Sequence, residues 1–181
     1  MKKIGGKNMN EVIEKIVTRR SVRKYKPDMV PNDVIDEILK AGTYAATGMN
    51  RQSPIIISVT DKALRDKLSK MNAKIMGKPD MDPFYGAPVV LIVLADKSYP
   101  TYLYDGSLVM GNLMLAAHAL NIGSCWIHRA KEEFESEEGK EILKSLGIEG
   151  NYEGIGHCIL GYSAEEEIKA GPRKENYIYK A

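Results

Sequence analysis

The stretch from Asp105 to Ile127, DGSLVMGNLMLAAHALNIGSCWI, constrains the fold most strongly because it predicts a helix with no polar face. Six of its apolar residues would point to different sides of such a helix: Leu108, Val109, Leu113, Ala116, Ala117 and Leu120. A helix that is apolar on all sides is normally buried. It is too short for a membrane span, and Asn112 and His118 interrupt it. The rest of the chain, or a second copy of it, must therefore cover this helix.

The signals that follow the helix predict a strand. Asn121 and Gly123 are typical of a helix end, and Ser124 to Ile127 then predicts a short buried strand. The remaining elements follow the same periodicity rules: amphipathic helix 10–18, a helix capped by Asn32, strand 55–60, a helix capped by Asp61, central strand 89–95, helix 132–146, strand 156–162 and a strand-like tip at 176–179. This order predicts an α+β fold, with one central mixed or antiparallel sheet flanked by helices.

Length and charge limit the kind of protein. The 181 residues suit a single domain over residues 1–181, with residues 1–8 as a disordered leader before a second methionine, Met9. Lys plus Arg number 26 and Asp plus Glu number 24, a net charge of +2. This balance argues against a general electrostatic partner such as nucleic acid or a membrane surface.

Cysteine usage indicates the compartment. Cys125 and Cys158 lie in apolar, strand-like contexts without CxxC spacing, so they predict buried thiols rather than a disulfide framework. The N-terminal MKKIGGKNMN lacks the apolar segment of a signal peptide. We therefore expect a cytoplasmic protein.

Several familiar catalytic motifs are absent from the sequence. It contains no GxxxxGK[ST] loop and no HExxH, and Gly154-Ile155-Gly156 lacks the third glycine of a dinucleotide fingerprint. Its three histidines are scattered and no nucleophile elbow is present. We predict no metal site.

Two basic clusters predict a phosphate site. The segment Arg19-Arg20-Ser21-Val22-Arg23 follows the first helix, and Arg173-Lys174 lies near the C-terminus. A guanidinium group matches a phosphate with two parallel hydrogen bonds and stays charged. Two clusters from opposite ends of the chain would suit one phosphate monoester held from both sides. The alternative is ordinary solvated surface charge.

The loop before strand 55–60 carries two amides, Asn50 and Gln52. Each amide offers a donor and an acceptor on one flat group, which suits the edge of a planar heterocycle. The alternative is hydrogen bonding of both amides to their own loop backbone.

Taken in order, these segments resemble the nitroreductase family of flavoproteins. The resemblance rests on RRSVRKY, the Asn-x-Gln loop, the block YDGSLVMGNLMLAAHALNIGSCWI and a late arginine, and it covers the chain from about Met9 to the C-terminus. It implies a homodimer with FMN at the subunit interface, and a C-terminal strand exchanged with the partner subunit.

The resemblance also implies roles for particular residues. Phosphate, ribityl chain and pyrimidine edge would be held by Arg19, Arg20, Ser21 and Arg23, with Arg173 as a late contact to the phosphate. A loop from the other subunit would reach FMN through Ala46, Thr47, Gly48, Met49, Asn50 and Gln52. A strand end would lie by the flavin N5 through Trp126, Ile127, His128 and Arg129. The chain has Ala46-Thr47-Gly48 where many relatives carry Pro-Ser-Ser, and His128-Arg129 where they often carry Glu-Gly.

The implied activity is reduction of a small-molecule electron acceptor, such as a nitroaromatic compound or a quinone, by NAD(P)H. FMN would receive the hydride, in a ping-pong mechanism without a catalytic side chain. A candidate lid spans residues 77–104, with Met81, Phe84, Tyr85 and Tyr102. The alternatives are a flavin-binding or redox-sensing protein without turnover, another flavin chemistry on the same fold such as dehalogenation, and an adaptor protein with a basic patch.

Overall fold

The computed structural model describes residues 3–4, 7–166 and 168–181. It contains six strands: β1 (Lys3–Ile4), β2 (Lys7–Asn8), β3 (Pro54–Val59), β4 (Val89–Asp96), β5 (Gly123–Ile127) and β6 (Tyr152–Gly161). It contains six α-helices: α1 (Glu11–Thr18), α2 (Asn32–Thr43), α3 (Lys62–Ile75), α4 (Tyr102–Ala119), α5 (Ala130–Glu135) and α6 (Glu137–Ser145). A single 3₁₀ turn spans Gly48–Asn50.

Four strands form the central sheet in the order β3-β4-β6-β5, and every neighbouring pair is antiparallel. Strand β4 lies inside the sheet, and its residues from Val89 to Ala95 are buried. An apolar run of this kind is expected where a strand is covered on both faces. The predicted α+β class is confirmed, and the sheet is antiparallel rather than mixed.

Helices cover both faces of the sheet. On one face, α2 and α4 pack through Ile35, Ile38, Met110 and Leu113 against alternate residues of β4. On the other face, α3, α5 and α6 contribute a second core around Phe134. Cys158 belongs to the first core and Cys125 to the second, so the two thiols lie on opposite faces of the sheet; both are free and buried, as predicted.

Helix α4 is only partly covered by its own chain. Val109, Met110, Leu113 and Ala117 are buried, whereas Leu108 on the outer side is 51% exposed. Helix α1 lies beside the C-terminal half of α4, where Lys15 Nζ donates to the Ala119 carbonyl. The apolar residues of α1 are also exposed. We call the following set the apolar surface: Val12, Ile13, Ile16, Val17, Tyr104 and Leu108. Within the described ranges, no helix combines the length and apolarity that a bilayer crossing requires.

The helix predicted over residues 132–146 is wrong, because the chain forms two helices there. Ser136 separates α5 from α6, and its Oγ accepts a hydrogen bond from the Gly139 N–H at 3.1 Å. A Cβ atom at Gly139 would lie 2.1 Å from the Glu133 carbonyl oxygen, so the two helices pack too closely for a side chain at this position. The predicted N-cap of α2 also shifts: Asn32 is the first helical residue, and Pro31 occupies the cap position.

The loop that follows α3 is attached to the rest of the chain through Asp82 and Phe84. Asp82 accepts hydrogen bonds from the Arg65 guanidinium and from Ser69 Oγ. Phe84 is completely buried, and its ring centre lies 5.2 Å from that of His157. The prediction of Phe84 as a lid residue is therefore wrong, because this ring belongs to the core.

Both chain ends depart from simple expectation. Residues 169–181 are exposed, and the strand predicted over residues 176–179 does not form within residues 168–181. Its exchange with a partner subunit stays a prediction. At the N-terminus, Lys3–Ile4 pairs with Lys7–Asn8, and the rest of the predicted leader, residues 1, 2, 5 and 6, lies outside the described residues.

Candidate functional site

The basic segment after α1 lies between the start of β5 and the chain that follows β6. On one side, the Val22 N–H donates to the Ser124 carbonyl at the start of β5. On the other side, the Arg23 N–H donates to Glu165 Oε2 at 2.8 Å, and the Lys24 carbonyl accepts from the Ala164 N–H. The backbone that carries these arginine side chains is therefore hydrogen-bonded on both sides.

A cavity of about 620 Å³ lies beside this segment. Its wall includes residues from four parts of the chain: Thr18, Arg20 and Val22; His118; Ile122, Gly123 and Ser124; and Ser163, Glu166, Ile168, Lys169 and Ala170. The cavity therefore joins the predicted phosphate segment to the last turn of α4, the start of β5 and the chain that follows β6.

Two polar atoms of the cavity wall, Arg20 Nε and Ser124 Oγ, are buried and have no hydrogen-bond partner among the described residues. Arg19 Nη1 is buried and without such a partner as well, although Arg19 is not part of the cavity wall. The Arg20 guanidinium is nevertheless held in place, because its Nη1 donates to the carbonyls of Val17 and Arg19 at 2.9 and 2.7 Å. A buried donor without a partner costs about 1–3 kcal/mol. An anion with several acceptor oxygens would satisfy these donors, so the residues present fit a phosphate group.

His118 is a cavity residue that sequence reasoning missed. Its Nε2 lies 2.9 Å from Thr18 Oγ1, and the Thr18 hydroxyl donates to the Glu14 carbonyl. Because that hydroxyl has one proton, it accepts from His118, and Nε2 is the protonated nitrogen. Burial lowers the pKa of His118, and the charges of Lys15, Arg19 and Arg20 lower it further. The sequence offered one signal for this role, which is a histidine in the last turn of the long apolar helix.

The loop over residues 46–52 is organised by Asp105, which sequence reasoning named only as the start of a helix. This carboxylate is 2% exposed and accepts from the Gly48 N–H and Ser53 Oγ, both at 2.9 Å, and from Thr101 Oγ1 at 3.1 Å. Three loop residues have positive φ: 52° at Met49, 54° at Asn50 and 51° at Gln52. Such backbone persists only where its surroundings fix it.

The predicted loop amides face outward. Gln52 Nε2 donates to Asn50 Oδ1 at 3.3 Å, and both side chains are exposed. Ala46 is exposed. Thr47 Oγ1 accepts a hydrogen bond from the Gln52 N–H, so this side chain stabilises the loop itself. The loop thus presents its amides away from its own chain.

Within one chain, the arginine segment and this loop are far apart. The loop lies at the first turn of α4, next to Asp105, whereas the arginine segment lies at its last turn, next to His118. His118 follows Asp105 by 13 positions, which corresponds to about 20 Å along a helix. The chain alone does not bring these two parts of the predicted site together.

The predicted N5 contacts lie at the far end of β5 from the cavity. Ser124 lines the cavity, and β5 then runs through Trp126 and Ile127 to His128, a distance of about 13 Å for four strand residues. The His128 carbonyl accepts from Asn72 Nδ2 at 2.7 Å. Arg129 has a φ of 81° and precedes α5. Strand β5 therefore connects the two ends of an elongated region.

The late basic residues are not part of the cavity wall. Arg173 is exposed and its Nη2 donates to the Gly171 carbonyl, while Lys174 lies over the Tyr177 ring. Lys169 and Ala170 do line the cavity, so Arg173 follows three residues after the cavity wall. Its role at a phosphate stays a prediction.

Comparison with known proteins agrees with this α+β fold. The family model described as the nitroreductase family matches residues 16–162, so the chain belongs to the nitroreductase family. A Bacillus subtilis protein named FMN reductase [NAD(P)H] is 35% identical to this chain. The alignment covers 89% of this chain and 69% of that protein.

Two solved structures show the same fold with FMN bound. A Bacteroides fragilis nitroreductase is 30% identical, with a TM-score of 0.87 over 96% of this chain and 100% of that chain. A Desulfitobacterium hafniense nitroreductase is 26% identical, with a TM-score of 0.84 over the same shares. The resemblance inferred from the sequence is confirmed.

Proposed function

We propose that this protein is an FMN-dependent oxidoreductase that uses NAD(P)H to reduce small-molecule acceptors such as nitroaromatic compounds and quinones. Family membership, the FMN in two similar structures and the name of the Bacillus subtilis relative support this function. Two buried free thiols suit a reducing compartment, and we place the enzyme in the cytoplasm.

The observation that carries the proposal is the separation of the arginine segment from the loop over residues 46–52. These parts lie at opposite ends of α4, and the apolar surface beside that helix is exposed. A second copy that packs its α4 antiparallel to the first would bring its own loop to the arginine segment. The protein is then a homodimer with two equivalent sites, each built from both subunits.

The cavity would hold the phosphate end of FMN. Arg19 and Arg20 supply the two buried donors that have no partner among the described residues, and Ser124 adds a hydroxyl. Ser21 forms an isolated backbone bridge with Ser124 but does not line the cavity, so its contact to FMN stays a prediction. Arg23 and Arg173 are exposed and would add charge from outside. Several cations suit a phosphate that carries nearly two negative charges.

The other end of β5 would face the flavin ring. FMN, when bound, accepts a hydride and passes two electrons to the acceptor. The peptide between His128 and Arg129 would contribute an N–H, while Asn50 and Gln52 of the second copy would contact the ring edge. Protons would come from water, so no side chain acts as acid or base. Because the nucleotide leaves before the acceptor enters, the kinetics would be ping-pong.

The test is an anaerobic titration of the purified protein. The expected protein is yellow, loses its visible flavin absorbance when NADH or NADPH is added, and regains it with a nitroaromatic compound or a quinone. Initial rates at several acceptor concentrations should give parallel double-reciprocal lines. Retained flavin that neither nucleotide bleaches would support the flavin-binding alternative. A colourless protein that takes up no added FMN would contradict the proposal.

A further inference from the structure

A chain of buried polar side chains ends at the His128 carbonyl. Asn72 on α3, Glu133 on α5 and His157 on β6 are all completely buried. Asn72 Nδ2 donates both to the His128 carbonyl and to Glu133 Oε1. The second oxygen, Glu133 Oε2, lies 3.1 Å from His157 Nε2. Three elements of the fold thus converge on a single peptide group at the end of β5.

This network of polar side chains is surrounded by apolar side chains. Phe84 packs against His157, and the neighbouring side chains belong to the second apolar core. Burying polar and ionisable groups among apolar side chains costs free energy that their mutual hydrogen bonds offset only when the geometry is good. Apolar residues would fill this space equally well, so we infer that the network holds a backbone group in a defined orientation.

The group that it fixes is the peptide between His128 and Arg129. The described chain contains no cis peptide bond, so the Arg129 N–H points away from the His128 carbonyl and hence away from Asn72. No acceptor for this N–H is found in the part of the chain that the structure describes. A hydrogen bond accepted by the carbonyl also polarises the peptide and makes its N–H a stronger donor.

The orientation of the Asn72 amide is well determined. Both neighbours of its nitrogen are acceptors, a carbonyl and a carboxylate, so the amide cannot be flipped without losing both hydrogen bonds. Glu133 therefore orients Asn72, and Asn72 orients the peptide. In addition, a Cβ atom at Gly154 would lie 2.2 Å from the Ala130 carbonyl, so β6 supports the chain just after Arg129 by direct backbone contact.

We propose that Asn72 is a positioning residue that aims the Arg129 N–H at N5 of the flavin. The proposal rests on the proposed function, because it requires FMN in the site described above. Asn72 itself is buried beneath the peptide and does not touch the cofactor. Its effect on catalysis would come from the direction and strength of one backbone donor.

The test compares Asn72→Leu with the wild-type dimer loaded with FMN labelled with ¹⁵N at N5. Hydrogen bonding moves the resonance of a pyridine-type nitrogen upfield, so we expect N5 of the oxidised flavin to move downfield in Asn72→Leu. The rate constant for flavin reduction by NAD(P)H should fall about 10-fold to 100-fold, the effect of a small misplacement. The Kd for FMN should change less than threefold, roughly 0.6 kcal/mol.

The matched control is Ser69→Ala, which removes a buried hydrogen bond to Asp82 from the same helix without contacting His128. It should leave both the N5 resonance and the reduction rate unchanged. If Asn72→Leu does not fold, Asn72→Asp keeps the volume and still releases the carbonyl. In Asn72→Asp, the new carboxylate and that of Glu133 would share one proton, so no proton is donated to the His128 carbonyl.

The possible results separate this inference from the proposed function. If wild-type protein binds FMN and is bleached by NAD(P)H, but N5 and the reduction rate are unchanged in the Asn72 variant, the positioning role is wrong and the function stands. Equal losses in Asn72→Leu and Ser69→Ala would also overturn it, since both would reflect general destabilisation. If wild-type protein binds no FMN, the proposed function itself fails.

Discussion

Arg19 holds one guanidinium nitrogen in the interior without a partner among the described residues. We expect Arg19→Ala to weaken FMN binding by about 1.5–3 kcal/mol, because one hydrogen bond between charged groups is lost. Quenching of free FMN fluorescence during titration of the flavin-free protein measures the Kd directly.

The control for this prediction is Lys26→Ala, which removes an exposed positive charge just after the arginine segment. Its effect should be small, since an exposed charge in water contributes little to a nearby ion. An unchanged Kd in Arg19→Ala would place the phosphate elsewhere, and equal losses in both variants would indicate only a general charge effect.

His118 makes the stability of the flavin-free protein depend on pH. Burial and the neighbouring cations hold its pKa below 6.5, so in the folded protein the neutral form is favoured. The unfolded chain takes up its proton near pH 6.5, whereas the folded chain does so only at lower pH. This contribution to stability is therefore complete above 6.5 and is lost as pH falls through the window below it.

The measurement is the thermal unfolding midpoint of flavin-free protein between about pH 7.5 and about pH 5, the range in which histidine titrates. We expect a smaller fall for His118→Gln, which keeps a donor for Thr18 but cannot be protonated. Identical falls in both proteins would show that other groups cause the acid sensitivity.

Part of the site could be predicted from residues alone. The arginine segment was predicted because guanidinium groups after a helix are a local signal, and the structure places Arg20 in the cavity wall. Asp105, Ser124 and Asn72 were missed because their roles depend on distant partners: Asp105 binds a loop 57 residues away, and Asn72 reaches a carbonyl 56 residues away. The spacing of residues along the sequence does not predict contacts between positions so far apart.

At the scale of elements, periodicity predicted the four strands of the central sheet, whereas the strand predicted over residues 176–179 does not form. Periodicity also failed at the junction of α5 and α6, where the acidic run hides the break at Ser136. The break follows from close packing of Gly139 against the preceding helix, a tertiary contact. The N-cap of α3 at Asp61 was predicted correctly because its hydrogen bond to the Leu64 N–H is local.

The outer face of α4 gives a prediction about assembly. Leu108 lies on the apolar surface and is 51% exposed in the single chain. We expect Leu108→Glu to give a species of about 20.1 kDa instead of the proposed dimer, because a carboxylate would be buried without a partner in that interface. Sedimentation velocity measures the mass, and the flavin absorbance of the same sample should be lost with the dimer.

Leu146 provides the matched control, since it is 48% exposed at the end of α6, outside the apolar surface. Leu146→Glu should remain a yellow dimer. A Leu108→Glu variant that stays dimeric and retains its flavin would show that the two copies meet through another face.

For the whole molecule, the sequence was enough to predict the α+β class and the family, but not the strand order. The order β3-β4-β6-β5 places the last strand beside the second of the four, an arrangement that depends on long-range pairing. The tail over residues 168–181 illustrates the same limit. Its apolar tip, Tyr177 to Tyr179, is exposed in the single chain, and the strand predicted there does not form without a partner.

The position of α4 between the arginine segment and the loop has a thermodynamic consequence. If each cofactor is held by both subunits, then association and cofactor uptake are linked equilibria, and each strengthens the other by the same factor. Dilution would release flavin even though no contact to it has changed, and excess flavin would hold dilute subunits together. In a cell, the amount of active enzyme would then rise more steeply than the amount of polypeptide synthesised.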